Sequence, residues 1–246
     1  MHQRWFVLFL CFFCGYACAA EVQVAVAANF SAPFKQIAET FEKKTGHNVS
    51  ISAGSTGKIY AQITNGAPFD MFLSADVETP ARLEKEGFAF SGSRFTYATG
   101  RLVLWSANPT RVDDKAAVLL RNDFKHLATA APKVAPYGVA AIQTLTNMSL
   151  LNLLQPKLVT GESIGQTFSM VSSGNADVGF VAMSQVFENG KLKGGSAWVV
   201  PASLHSPLKQ DAALLMRGKA NPAALQLLTF LKSGQAKAIM KSYGYE

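Results

Sequence analysis

Ser52-Ala53-Gly54-Ser55-Thr56-Gly57-Lys58 sets two hydroxyls between two glycines. The segment lies between the alternating apolar residues Val49 and Ile51 and a run, Ile59, Tyr60 and Ile63, at helical spacing. A strand-to-helix turn of this kind leaves the first backbone N–H groups of the helix without partners and adds the positive end of the helix dipole. Gly54 and Gly57 let a ligand approach the backbone, and Ser55 and Thr56 supply hydroxyl donors. The chemistry on offer is capture of a small oxyanion. Ser and Thr are also the commonest helix caps, so the segment by itself equally describes an ordinary helix start. A nucleotide loop is disfavoured, because Ile59 follows Lys58 where a magnesium-binding hydroxyl would stand.

Three further junctions share its character. Ala27-Ala28-Asn29-Phe30-Ser31 follows a strand at Val22, Val24 and Val26, while Pro136-Tyr137-Gly138 and Gly161-Glu162-Ser163-Ile164-Gly165 lie in the second half of the chain. The elements that must position them alternate in type. A helix over 33–44 carries Phe34, Ile37, Ala38 and Phe41 on one face and ends near Gly46, and strands are expected at 49–52 and 71–73. In the second half, strands at 133–135 and 158–159 each lead into a helix, and 178–182 forms another strand. Asn221 and Pro222 open a C-terminal helix whose apolar stripe is Leu225, Leu228 and Leu231.

This order predicts an α/β chain of two lobes, each a mostly parallel sheet flanked by helices and joined by a two-strand hinge. Lobe I spans 21–101 plus 210–246 and lobe II spans 102–209, with crossings at 101–106 and near 208–216. Ligands bind at the carboxyl ends of strands in such sheets, so all four junctions would face one interlobe cleft.

The first twenty residues read as a separate leader. Arg4, the apolar run from Trp5 to Phe13 and the small residues Ala17, Ala19 and Ala20 describe a secretory signal peptide, cleaved after Ala19 or Ala20. All three cysteines, Cys11, Cys14 and Cys18, fall inside it. The exported chain is therefore expected to rely on its core, without disulfides or thiolate metal sites. The net charge of +7 is spread over single basic residues with acidic neighbours, and no basic run with interleaved aromatics suggests a nucleic acid partner.

With these motifs together, the chain resembles the periplasmic molybdate-binding proteins of ABC importers. The resemblance runs from Val24-Ala25-Val26-Ala27-Ala28-Asn29-Phe30, through Asn65 to Asp76, the most specific block, to Tyr243-Gly244-Tyr245. It implies two α/β lobes that close on molybdate or tungstate without a cofactor or direct metal ligands. It also implies a monomer that hands the oxyanion to a membrane permease driven by an ATPase. The family's binding positions fall on Asn29 and the Ala28 backbone, on Ser55 or Thr56, on Tyr137, and on the N–H of Ile164. A tyrosine that relatives carry after the 178–182 strand is replaced here by Ala182 or Met183, and Tyr137 is expected to compensate.

Sulfate or phosphate binding is the nearest alternative, since lobe architecture does not name the anion. A hydrolase is the least favoured. It would need His47, His126 or His205 beside a nucleophile, and no G-x-S-x-G elbow is present. His47, after a helix-ending glycine, is expected at the surface. Asp70 and Asp76 are read as turn and capping residues, because a carboxylate in the cleft would repel an oxyanion, and Lys58 is expected to be solvated.

Overall fold

The computed structural model describes residues 19–246. The expected leader and its three cysteines fall almost wholly outside the described residues.

The first sheet grows around β1 (Glu21–Ala27), which pairs in parallel with β2 (Asn48–Gly54) from Glu21↔Asn48 to Ala27↔Gly54. Between them, α1 (Ser31–Thr45) buries Phe34, Ile37, Ala38 and Phe41 at the spacing of one helical face. It stops at Gly46, whose φ of 74° closes the last turn with a bond to the Glu42 carbonyl. The helix α2 (Thr56–Thr64) crosses to β3 (Met71–Leu73), parallel to β1 on its other side. After α3 (Glu78–Lys85), β4 (Phe95–Gly100) leads directly into β5 (Leu102–Ser106), the first strand of the second sheet. Only Arg101 separates the two strands.

The second sheet has the order β11-β5-β8-β6-β7. Its elements follow the short α4 (Ala117–Arg121): β6 (Leu127–Ala130), α5 (Pro136–Asn147), the single turn α6 (Leu151–Leu154), β7 (Leu158–Gly161) and α7 (Ile164–Ser172). Then come β8 (Val178–Ala182), α8 (Met183–Val186), a small hairpin of β9 (Phe187–Glu188) with β10 (Lys191–Leu192), and β11 (Ser196–Val199). The chain then returns to the first sheet as β12 (Leu208–Leu214), and α9 (Pro222–Leu231) packs on it while α10 (Gly234–Ser242) packs against α1 and α9.

β12 inserts between β3 and β4, antiparallel to both. Each sheet is thus parallel on one side and antiparallel on the other. The ladder slips at Gln210/Asp211, where Gln210 faces Ala98 and Asp211 faces Thr96, so Tyr97 is the extra residue of a β-bulge.

Three local expectations are corrected. Residues 132–134 form a turn and Ala135 is the N-cap of α5, and the strand feeding α5 is Leu127–Ala130, because Pro132 and Pro136 bracket the stretch and deny it ladder donors. In α9 the buried face is Ala223, Ala224, Leu227, Phe230 and Leu231, while Leu225 is exposed, since small residues let the helix sit close on the sheet. His47 is buried against Phe41, and its Nδ1 accepts from the Ala20 N–H at 3.1 Å.

Candidate functional site

The carboxyl ends of β1 and β2 and the amino ends of α2, α5 and α7 meet at one small cavity of about 10 Å³, on the order of one water-sized sphere. From the first sheet's side it is lined by Ala28, Asn29, Ser55, Thr56 and Ala75, and from the other by Ala135, Tyr137 and Ile164. Every residue singled out from the sequence, Ala28, Asn29, Ser55, Thr56, Tyr137 and Ile164, lies on this wall. The second sheet's core continues across the cleft to Ala27 and Ala75, so the walls are held by apolar packing from both lobes.

No lining residue carries a charge near neutral pH, since the one acidic group, the Tyr137 phenol, is held protonated well above its ordinary value of 10 by burial, so the walls present neutral dipoles. Thr56 is the first residue of α2, Tyr137 the second of α5 and Ile164 the first of α7. Their N–H groups lack intrahelical acceptors, and three helix dipoles place partial positive charge there. An oxyanion is the ligand that such a set of donors stabilises without a counter-cation.

Ser55 carries the sharpest signal. It occupies the N-cap position of α2 yet makes no capping bond, and its buried Oγ has no partner among the described residues. Ser163, at the same position of α7, accepts from the Gln166 N–H at 3.2 Å and is spent on its own helix. Thr56 Oγ1 accepts from the Ala75 N–H at 3.1 Å, which leaves its proton to donate.

The cleft is drawn together by contacts between lobes. The Gly57 N–H donates to the Val134 carbonyl at 2.9 Å, and a Cβ at residue 57 would lie 3.0 Å from the Val134 backbone. Glycine is what allows that approach. Lys58, expected to be solvated, instead pairs with Glu162 across the cleft while remaining half-exposed. The pair bridges the lobes because α2 and the loop before α7 start side by side.

A larger space of about 590 Å³ adjoins the cavity and shares Thr56, Ala75, Ala135 and Pro136 with it. Its walls carry Asp76, Glu78, Lys133 and Lys209, charges of both signs, and it lacks the convergent donors. Asp76 receives the N–H and hydroxyl of Thr79 at 2.9 and 3.0 Å, in the first turn of α3, and burial raises its carboxyl above the usual range. Asp70 accepts from the Gln23 N–H at the opposite end of the sheet. Both are structural, and among the described residues no cluster of three or more His, Cys, Asp or Glu is arranged to hold a metal.

Beneath the cavity lies a buried polar network that the sequence reading missed. Asn29 Nδ2 donates to Gln210 Oε1 at 2.8 Å and to the Tyr245 hydroxyl at 3.0 Å. With both amide protons committed, the free donor of Asn29 is its backbone N–H. Ser184 and Tyr245 both donate to the Asn29 carbonyl, at 2.6 and 2.9 Å. Gln210 Nε2 donates to the Tyr137 hydroxyl at 3.2 Å. In the sequence Gln210 stands between Lys209 and Asp211, so nothing local marks it as buried.

Burial pushes the Tyr245 phenol up to about 12 and those of Tyr97 and Tyr137 well above their ordinary value of 10. The folded state therefore holds these protons more tightly than the unfolded chain. Their contribution to stability is complete below pH 10 and is lost as pH rises from about 10 towards 12. Calorimetric melting temperatures should be level through pH 8–9.5 and fall steeply above pH 10, and Tyr245→Phe should flatten part of that fall.

The profile of the family described as "Bacterial extracellular solute-binding protein" matches residues 22–246. The molybdate-binding protein ModA of Azotobacter vinelandii is 58% identical over 227 residues, covering 92% of this chain and 90% of the relative. That of Rhodobacter capsulatus is 53% identical over 229 residues, covering 93% and 89%. The solved periplasmic molybdate-binding protein of Azotobacter vinelandii superposes with a TM-score of 0.88 at 45% identity, covering 92% of this chain and 98% of that one.

Proposed function

This chain belongs to the bacterial extracellular solute-binding proteins, and we propose that it captures molybdate between its two lobes and delivers it to an ABC importer. It is a transport component and not an enzyme. Lobe I, 21–101 with 210–246, and lobe II, 102–209, close on the dianion, and closure removes it from water.

The observation that carries this reading is the unpartnered Ser55 hydroxyl on a charge-free cavity where helix amino ends converge. The donors are the hydroxyls of Ser55 and Thr56 and the backbone N–H groups of Ala28 or Asn29, Tyr137 and Ile164. In that low-dielectric setting each hydrogen bond to an ionised oxygen is stronger than its neutral counterpart. Tungstate, with the same charge and shape, is bound as well. Hydrogenphosphate is rejected because no carboxylate lines the cavity to accept its proton, and sulfate, of the same charge and shape as molybdate, is discriminated by its smaller size. The leader at 1–20 exports the chain to the periplasm, where it works as a monomer with a membrane permease and its ATPase.

Titration calorimetry with molybdate, tungstate, sulfate and phosphate tests the reading. Molybdate and tungstate should bind at least about a hundredfold more tightly than the other two, on the scale that pocket fit and unpaired polar groups allow. Sulfate binding as tightly as molybdate would overturn it.

A further inference from the structure

Gln210 is fully buried on β12, next to the return crossing between lobes. A buried carboxamide is retained at a cost unless all its groups are paired, and here each bond reaches a different element. Oε1 accepts from Asn29 Nδ2 at 2.8 Å and from the Tyr97 hydroxyl at 2.9 Å, and Nε2 donates to the Tyr137 hydroxyl at 3.2 Å. Asn29 lines the cavity from lobe I and Tyr137 lines it from lobe II. One side chain thus holds both walls at once.

The backbone around it is shaped for this contact. The bulge at Tyr97 turns that hydroxyl towards both Gln210 and the Ser74 carbonyl, at 2.9 Å each. At the outgoing crossing, a Cβ on Gly100 would fall 2.0 Å from the Tyr137 hydroxyl and 2.5 Å from Gln210 Nε2. The network therefore presses on the hinge strand itself, and only a glycine leaves room for it.

We infer that Gln210 is a positioning residue for oxyanion capture: it fixes Asn29 and Tyr137 relative to each other across the hinge and so sets the spacing of the two donor walls. The amide is required, since it must accept on one side and donate on the other while remaining uncharged below a dianion. This inference rests on the proposed function, and wild-type protein titrated with molybdate in parallel separates the two. Failure of the wild type to bind molybdate defeats the functional reading, whereas normal wild-type binding leaves only Gln210 in question.

The test compares Gln210→Glu and Gln210→Met. In Gln210→Glu the new carboxylate faces the phenols of Tyr97 on β4, Tyr137 on α5 and Tyr245 at the C-terminus, with Asp76 and the Asp211–Arg94 pair beyond Tyr97. It turns those donors towards itself and repels the ligand. Molybdate affinity at pH 8 should fall by on the order of a hundredfold. Burial and a bound dianion both raise the carboxyl's pKa, so the affinity of this variant should recover as pH is lowered from 9.5 to 5.5, while the wild type stays level. Gln210→Met, neutral and similar in size, should lose about tenfold with no pH dependence. Unchanged affinity in both variants would overturn the inference. So would losses without the pH dependence in Gln210→Glu, because a purely structural role lowers the melting temperature of the free protein without making binding depend on pH.

Discussion

Ser55→Ala should weaken molybdate binding by about tenfold to a hundredfold while leaving the ligand-free protein as stable as before, or more so. The lost contact is a hydrogen bond to a charged oxygen, worth about 1.5–3 kcal/mol, with 1.4 kcal/mol per factor of ten. The gain comes from the free state. A buried hydroxyl with no partner carries its desolvation cost of about 1–3 kcal/mol, and the Ser55 Oγ is such a group. An ordinary N-cap behaves oppositely, losing about 1 kcal/mol of stability on truncation to Ala. Calorimetric titration and melting of the free protein distinguish the cases, and a destabilised variant with unaltered affinity would return Ser55 to the role of a cap. Ser55→Asp extends the test, since a carboxylate among neutral donors should abolish binding altogether.

Asp70→Ala should show the complementary pattern, with stability lost and affinity kept. Asp70 precedes β3, at the end of the first sheet away from the cavity. Its Oδ2 accepts from the Gln23 N–H at 2.8 Å and from Asn221 Nδ2 at 3.2 Å, and Arg217 lies 3.7 Å from Oδ1. Asn221 in turn caps α9, its Oδ1 accepting from the Ala223 N–H at 3.0 Å. One carboxylate ties β1, the start of β3 and the cap of α9 together. Removing it leaves a partly buried strand N–H unpaired and loosens the cap, at a cost of about 3 kcal/mol. For a chain of this size that lowers the melting temperature by about 6–12 °C. A fall of that size with the molybdate affinity unchanged is the expected result, and a loss of affinity without a loss of stability would place Asp70 in the site.

Much of the scaffold was legible because it depends on local pattern. Phe34, Ile37, Ala38 and Phe41 repeat at helical spacing, Val22, Val24 and Val26 alternate, and the strand-to-helix junctions follow from glycines and hydroxyls at fixed places. The errors share a cause. Lys133 to Ala135 looked like a strand from two apolar residues, but Pro132 and Pro136 deny the segment its ladder, and Leu127–Ala130 takes the place. Lys58 looked solvated because its partner Glu162 is 104 positions away. His47 looked exposed because Ala20, whose N–H it accepts from, lies 27 positions away in the sequence.

By itself the sequence determined two α/β lobes and the set of residues with chemistry to offer an oxyanion, since residue type and spacing set turns, caps and periodicity. It did not determine whether Ser55 caps its own helix or faces a ligand. Both uses need the same residue at the same position, and the difference lies in where the Oγ points once α2, α5 and α7 converge. The network of Gln210, Tyr137, Asn29 and Tyr245 was likewise decided only by tertiary structure. Its members lie up to 216 residues apart, and a buried polar group has a role only once its partners from other elements surround it.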